Sequence, residues 1–395
     1  MVKQILLITA LLLAGLIWGR DYTIVGTGQT RCYDNTREIA APRPGQAFYG
    51  QDAQHPRLTP AYKDNGDGTI TDLNTGLMWV KARGTKMSWE HAMAGAKTCR
   101  VGGYTDWRAP TIKELYSLIL FTGSMRMSAP QSTPFIDTRY FSFAYGDPAK
   151  GEREIDCQDW SSTEYRGTTM NGNATVFGVN FADGRIKGYP KTRGPRGYAH
   201  TLYIRYVRGN PAYGKNDFRD TGTGTITDRA TGLMWAKADS GAGMNWVAAL
   251  AWAQARNAEK YLGYGDWRLP NAKELQSIVD YTRSPSSTRS AAIDPIFTIS
   301  KLGDGEYPFF WTSTTHLDGP PDRQASTAVY VAFGRATGWM AFPPHFQLQL
   351  LDVHGAGAQR SDPKTGNAAD FPHGRGPQGD VIRINNYVRL VREAE

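Results

Sequence analysis

Residues 64–82, DNGDGTITDLNTGLMWVKA, recur at residues 220–238 as DTGTGTITDRATGLMWAKA. In both copies, apolar and polar side chains alternate on either side of a Gly-containing turn sequence, a pattern typical of two paired strands. Each copy therefore predicts a β-hairpin. A stretch of this length that occurs twice also indicates an internal duplication of the chain.

The acidic residues of the first copy raise the alternative of a calcium loop. An EF-hand-type loop needs oxygen ligands at its first, third and fifth positions, Gly at the sixth and Glu at the twelfth. With Asp67 in the fifth position, Lys63 falls in the first and Asn74 in the twelfth. The second copy replaces Asp67 by Thr223 but retains the glycines. We therefore predict a tight turn, with Asn and Gly at positive φ, and no metal site.

Three further motifs recur in the same order, with drifting spacing. GGYTDWRAPTIKELYSLI at Gly102 returns as LGYGDWRLPNAKELQSIV at Leu262, DWSSTEY at Asp159 as FWTSTTH at Phe310, and YIRYVRG at Tyr203 as NYVRLVR at Asn386. The repeated unit has the size of a domain, so the chain is a tandem duplication rather than a solenoid. The predicted division is a signal peptide (1–20), a leader segment (21–63), domain 1 (64–208), a linker (209–219) and domain 2 (220–395).

Two helices are predicted in each domain, because good capping residues precede helix-forming stretches. Ser88 and Asn245 precede Ala-rich segments, Thr111 with Glu114 forms a capping box, and Asn271 with Glu274 approximates one. The later part of each domain is rich in loops and short aromatic strands and ends in an alternating strand. The predicted fold class is α+β, with a hairpin, two helices, long loops and a final set of strands in each domain.

The N-terminus indicates export. Lys3 precedes an apolar run from Ile5 to Ile17, which is typical of a secretory signal and is short for a membrane span of roughly 20 residues. An uncleaved N-terminal anchor is the alternative, and no other segment reaches membrane-spanning length. The formal net charge of +8 favours an acidic over a basic partner. We expect no nucleic-acid partner.

Export makes the three cysteines candidates for disulfide formation. Cys99 and Cys157 both fall in domain 1, and a bridge between them would add roughly 4 kcal/mol of stability on the loop-entropy argument. We predict this disulfide, which leaves Cys32 free or paired with another chain. No zinc-type spacing of Cys and His is present.

The repeated motifs, taken together, resemble the Lcl C-terminal domain family, a bacterial domain named for the Legionella collagen-like adhesin. The resemblance covers both repeats, and the segments IVGTGQTRCYDN and GQAFYGQDAQ of the leader also resemble the leader of many members. It implies two tandem C-type-lectin-like domains, each with two helices, a small antiparallel sheet and long ligand-presenting loops. It also implies an exported protein. The adhesin that names the family binds sulfated glycosaminoglycans, so the resemblance suggests a similar ligand class.

No catalytic or cofactor-binding constellation emerges from the remaining motifs. DWR at residues 106–108 and 266–268 could form a carboxylate–guanidinium site, but we favour a core tryptophan with an Asp–Arg pair bracing the turn. The hydroxyls of WSST and WTST lack a base or a nucleophile elbow, and His316 follows only the second copy. Neither a dinucleotide fingerprint nor a Walker loop is present, so no cofactor is expected.

The most suggestive functional stretch is GRIKGYPKTRGPRGYAH, which we interpret as a basic loop over residues 184–197. Cationic and aromatic side chains on a Gly/Pro loop suit sulfate, phosphate or carboxylate groups on a sugar. The alternative is a solvated loop that only aids solubility. The predicted ligand-binding residues are Arg185, Lys187, Tyr189, Lys191, Arg193 and Arg196.

These observations predict an exported, non-enzymatic binding or adhesion protein that recognises an anionic glycan or another cell-envelope surface. A structural envelope component that acts through protein–protein contacts is one alternative. An enzyme on a scaffold like that of the formylglycine-generating enzymes is another, and it would need reactive cysteines.

Overall fold

The computed structural model describes residues 20–193, 199–342 and 347–394, so all but the last residue of the predicted signal peptide lies outside the described residues. The described chain is α+β, with four short helices and small antiparallel sheets. Its helices are α1 (Trp89–Gly95), α2 (Ile112–Tyr116), α3 (Trp246–Ala258) and α4 (Ala272–Ser277). In this part of the chain, no helix is long and apolar enough to span a bilayer.

The strands follow the duplication. The leader segment contains β1 (Cys32–Tyr33), β2 (Glu38–Ile39) and the first two residues of β3 (Tyr62–Asp64). Domain 1 continues with β4 (Thr69–Asp72), β5 (Leu77–Val80), β6 (Asp159–Thr169), β7 (Asn173–Asn180), β8 (Arg185–Pro190) and β9 (Val207–Gly209). Domain 2 follows from β10 (Phe218–Asp220), with β11 (Thr225–Asp228), β12 (Leu233–Ala236), β13 (Phe309–His316), β14 (Thr327–Ala332), β15 (Thr337–Met340), β16 (Gln349–Asp352), β17 (Gln359–Pro363) and β18 (Val391–Glu393).

The predicted hairpin is confirmed in both copies, as the centre of a four-stranded antiparallel sheet. The strand order is β3-β4-β5-β9 in domain 1 and β10-β11-β12-β18 in domain 2. Ile70 pairs with Trp79, and Ile226 pairs with Trp235. All four side chains are buried, because alternation places every second residue on the core face.

Glycine, rather than asparagine, carries the turn between β3 and β4. Gly66 and Gly68 adopt φ of 80° and 88°, whereas Asn65 is not among the residues with positive φ. The Asp67 carboxylate accepts hydrogen bonds from the backbone N–H and the hydroxyl of Thr69, at 3.0 and 2.6 Å. This carboxylate is therefore engaged within the turn. Across the described residues, no group of three or more His, Cys, Asp or Glu is placed to hold a metal.

The predicted helix starts are also confirmed. Ser88 and Asn245 accept hydrogen bonds from backbone N–H groups in the first turns of α1 and α3. Thr111 forms a capping box with Glu114, and α4 has the same reciprocal arrangement between Asn271 and Glu274. These contacts satisfy N–H groups that a helix cannot pair internally.

A six-stranded antiparallel sheet joins the two domains, in the order β13-β14-β17-β8-β7-β6. Three strands come from each domain, and the halves meet where Gln359 of β17 pairs with Ile186 of β8. The hairpin of β15 and β16 is inserted before β17 and has no counterpart among the described residues of domain 1. The main apolar core also draws on both domains, so the duplication folds as one body.

Two equivalent lysines make reciprocal contacts across this junction. Lys113 of α2 donates to the Ser277 carbonyl at the end of α4, at 2.6 Å. Lys273 of α4 donates to the Ser117 carbonyl at the end of α2, at 2.7 Å. Each cation thus satisfies a carbonyl that the other helix leaves unpaired. This exchange indicates an approximate two-fold relation between the domains.

The DWR motifs have a structural role, but their charges pair differently from the prediction. Trp107 and Trp267 are buried, as expected. Asp106, however, binds Arg208 of β9 at 2.7 Å, while Arg108 binds Glu114 at 2.6 Å. The predicted pairing of the aspartate with the arginine of its own motif was therefore wrong.

The predicted Cys99–Cys157 disulfide is absent, and all three cysteines are free thiols. Cys157 is buried before β6, with its Sγ 3.8 Å from the Asn180 side chain. Cys99 follows α1, and its backbone N–H donates to the Gly95 carbonyl at the end of that helix, at 3.0 Å. The two thiols lie against different parts of domain 1, which is why common membership of one domain did not imply a bridge.

Candidate functional site

The basic segment predicted as a loop is a strand over Arg185–Pro190, the innermost strand that domain 1 contributes to the shared sheet. The loop prediction was wrong for these residues. Arg185 and Lys187 are largely buried, with side-chain exposures of 15% and 12%. Tyr189 is buried against Trp160 in an edge-to-face contact.

Aspartates neutralise the buried cations. Lys187 donates to the Asp183 carboxylate at 2.7 Å, and Arg185 lies 3.2 Å from the same carboxylate. Arg185 also binds Asp318, which domain 2 supplies. Ion pairs that cross between the domains therefore occupy the place where a free anion-binding loop was expected.

Domain 2 extends this network. Arg360 of β17 binds Asp380, and Asp380 also contacts the His354 ring at 2.7 Å. The backbone N–H of Gly188 donates to the His354 carbonyl at 2.9 Å, which ties β8 to this group. We call the whole set the junction cluster: Asp183, Arg185, Lys187, Asp318, His354, Arg360 and Asp380.

Burial and charge pairing set the protonation states in the junction cluster. Burial alone would raise the pKa of Asp183, but Lys187 and Arg185 outweigh it and hold this pKa well below its usual range. Burial lowers the pKa of Lys187 to about 8, although Asp183 opposes the shift. Burial likewise lowers the pKa of His354 to about 4, so this ring is neutral at pH 7. The cluster therefore balances three cations with three carboxylates.

The outer end of the basic segment differs, because its cations reach the surface. The Lys191 ammonium lies 4.0 Å from the centre of the Trp89 ring and 3.0 Å from Glu164. Arg193 is exposed. Arg196 lies outside the described residues. We call Lys191, Arg193 and Trp89 the outer basic patch.

An open groove of about 700 Å³ lies beside this patch, between the two domains. Its lining comes from parts of 108–114 and 162–166 in domain 1, 211–218 around the linker, and 278–282 in domain 2. Glu164 belongs to the lining and also binds Lys191, so the groove and the outer basic patch adjoin.

The WSST hydroxyls connect strands to helices. Thr163 accepts a hydrogen bond from the first backbone N–H of α2 at 2.9 Å, and Ser161 donates to the Phe177 carbonyl at 2.6 Å. In domain 2, Thr314 accepts from the first N–H of α4 at 3.0 Å. Burial raises the pKa of Cys157 to about 12, which disfavours a thiolate nucleophile at neutral pH.

Comparison with known proteins supports the resemblance seen in the motifs. The Lcl C-terminal domain matches residues 68–208 and 224–346, together about two thirds of the chain. No curated protein and no solved structure matches it. Both matched segments contain the hairpin of β4 and β5 or of β11 and β12 and the two helices, and the second ends before β16, β17 and β18. The chain therefore belongs to the Lcl C-terminal domain family and carries the domain in tandem.

Proposed function

We propose that this chain is an exported, non-enzymatic binding or adhesion protein built from two C-type-lectin-like domains. Its ligand is an anionic glycan or another anionic component of a cell envelope. Family membership supports a shared domain, and the outer basic patch is the observation that carries the ligand class. The Lys191 ammonium over the Trp89 ring, with the exposed Arg193 two residues further along the chain, suits a sugar that bears sulfate, phosphate or carboxylate groups.

The burial of Arg185 and Lys187 reduces the set of predicted ligand-binding residues. Arg185 and Lys187 already have carboxylate partners, so an anionic ligand would have to displace buried ion pairs to reach them. Lys191 and Arg193 carry no such restriction, although Lys191 exchanges its contact with Glu164 for one with the ligand. The proposed contacts are therefore Lys191 and Arg193, together with Arg196, which belongs to the same basic segment of the sequence.

A glycan array that includes sulfated polysaccharides tests this proposal at low and at physiological salt. We expect salt-sensitive binding that is lost when Lys191, Arg193 and Arg196 are all changed to Ser. A charge-matched control changes three exposed cations elsewhere, Arg37, Lys63 and Lys150, to Ser. Equal loss in both triple variants would indicate attraction by net charge alone, and absence of glycan binding would contradict the proposal.

The second candidate is a structural component of the envelope that acts through protein–protein contacts. The open interdomain groove favours it, because a concave surface between domains is a common place for a bound segment. Binding to envelope material that is indifferent to salt and to the triple change would favour this candidate.

A further inference from the structure

The leader segment and the linker are each held by a hydrogen bond from an equivalent lysine. Lys273 donates to the Gly26 carbonyl of the leader segment, and Lys113 donates to the Gly214 carbonyl of the linker, each at 3.0 Å. The two segments then diverge. The linker runs directly from Gly214 into β10, whereas the leader segment makes a long excursion from Gly26 before it enters β3 at Tyr62.

The excursion fills a groove between the domains. The Phe121 N–H of domain 1 donates a hydrogen bond to the Thr27 carbonyl of the leader segment, at 2.7 Å. The Gln29 side chain accepts from the Thr315 N–H at 2.9 Å and donates to the Thr315 carbonyl at 3.0 Å. These contacts of Thr27 and Gln29 are made to the backbones of their neighbours and do not depend on the neighbours' side chains.

Two charged residues complete this docking. The buried Asp52 carboxylate accepts hydrogen bonds from the hydroxyls of Thr314 and Thr27, at 2.6 and 2.7 Å. Arg57 lies 3.4 Å from Glu274. Both Thr314 and Glu274 belong to the repeated motifs, so domain 1 contains a counterpart of each.

The equivalent groove of domain 1 is the open groove of about 700 Å³. Thr163 stands where domain 2 has Thr314, Glu114 where it has Glu274, and Tyr281 where domain 1 has Phe121. Thr163 accepts from α2 as Thr314 accepts from α4. Within the described ranges, however, the Thr163 hydroxyl donates to no acceptor and the Tyr281 N–H has no hydrogen-bond partner. In the filled groove, the leader segment contacts the equivalent groups: Asp52 accepts from the Thr314 hydroxyl, and Thr27 accepts from the Phe121 N–H.

We propose that this groove is the docking site for an extended polypeptide segment of another protein. A backbone carbonyl of that segment accepts from the Tyr281 N–H, and a carboxylate accepts from the Thr163 hydroxyl, as Thr27 and Asp52 do in the filled groove. A peptide fits better than a sugar, because the occupant of the equivalent groove is itself a polypeptide. The inference concerns a different surface and ligand class from the glycan proposal and does not depend on it.

The leader sequence provides the probe, because the groups that hold it recur in the open groove. A labelled peptide of residues 23–58 with Cys32→Ser is titrated into the full chain and followed by fluorescence anisotropy. We expect saturable binding, with slowed hydrogen exchange in residues 278–283. The peptide variant Asp52→Ala should bind roughly tenfold more weakly, since it lacks the acceptor for Thr163. This variant leaves the protein unchanged, so its effect does not depend on folding.

The protein variants Thr163→Val and Thr168→Val form a matched pair on β6. Thr168 is exposed and lies outside the groove lining, so Thr168→Val should bind the peptide with unchanged affinity. Thr163→Val should bind the peptide more weakly. Thermal unfolding of both variants checks that Thr163→Val remains folded. Absence of binding, equal affinity for the Asp52→Ala peptide, or protection at residues 120–122 instead of 278–283 would overturn the proposal. The last result would mean that the peptide replaces the protein's own leader segment.

Discussion

Asp183 is the carboxylate on which two buried cations of β8 depend, so Asp183→Asn is the sharpest test of the junction cluster. Lys187 donates to it at 2.7 Å, and Arg185 lies 3.2 Å away. Arg185 retains Asp318 in the variant, whereas within the described part of the chain Lys187 forms no ion pair with a second carboxylate. The change therefore leaves a buried ammonium without its partner.

The expected loss is about 3–5 kcal/mol in the free energy of unfolding, which is typical when one member of a buried ion pair is removed. Adding Lys187→Met should recover part of this loss, because the unpaired charge is then absent. The pH dependence has a definite sign. Since the folded-state pKa of Asp183 lies below the unfolded value, its contribution is present above about pH 4 and is lost as pH falls through the folded-state pKa.

Urea unfolding followed by tryptophan fluorescence measures these differences, with the slope checked for constant cooperativity. Glu38→Gln is a matched control, because Glu38 binds Arg31 at the same distance of 2.7 Å but on the surface. It should leave the unfolding midpoint nearly unchanged. Equal effects of Asp183→Asn and Glu38→Gln, or no recovery with Lys187→Met, would refute the view that the cluster is a buried, charge-balanced network.

Three further predictions concern the core, a helix cap and the cysteines. Burial lowers the pKa of Lys273 to about 7, so the unfolded state binds more protons above that pH. The free energy of unfolding of the protein, minus that of Lys273→Met, should then rise by about 1.4 kcal/mol per pH unit between about pH 7 and 9. Denaturant titrations that show no change of this difference with pH would contradict the prediction. Thr111→Ala removes one half of the α2 capping box and should reduce stability by about 1 kcal/mol in the same assay, while an unchanged midpoint would argue against the cap. Without reductant, a thiol reagent should titrate three cysteines in the unfolded chain, and in the native chain Cys99 should react before the buried Cys157. If only one thiol reacts in the unfolded chain, the other two cysteines form a disulfide and the structure is contradicted on this point.

The parts of the fold that sequence reasoning predicted are those that depend on near neighbours. The hairpin follows from alternation around a turn, and Ile70 and Trp79 are close enough in the chain for their pairing to be evident. The starts of α2 and α4 follow from capping residues three positions apart. Such signals require no knowledge of what packs against the element.

The failures share a dependence on distant residues. Arg185 and Lys187 were interpreted as free cations because residues 184–197 contain no acid, yet Asp183 directly precedes that window. A side chain two positions before Arg185 and four before Lys187 was the local signal that was missed. Asp318 and Asp380 gave no local signal at all, since they meet the segment only through the pairing of β17 with β8. The predicted Cys99–Cys157 bridge failed for a related reason, because shared domain membership says little about distance.

Divergence between the copies explains where binding surfaces remain. A symmetric duplication would leave two equivalent grooves, but the leader segment fills one with Asp52 and Arg57. The short linker leaves the other open. The cations of β8 pair with Asp183 and Asp318, whereas Lys191, just after β8, pairs with Glu164 of the groove lining. The leader segment thus occupies one of the two interdomain grooves, and the other remains an accessible concave surface. Ligand recognition should therefore map to the open groove and the outer basic patch beside it, and changes around Thr314 in the filled groove should alter stability rather than binding.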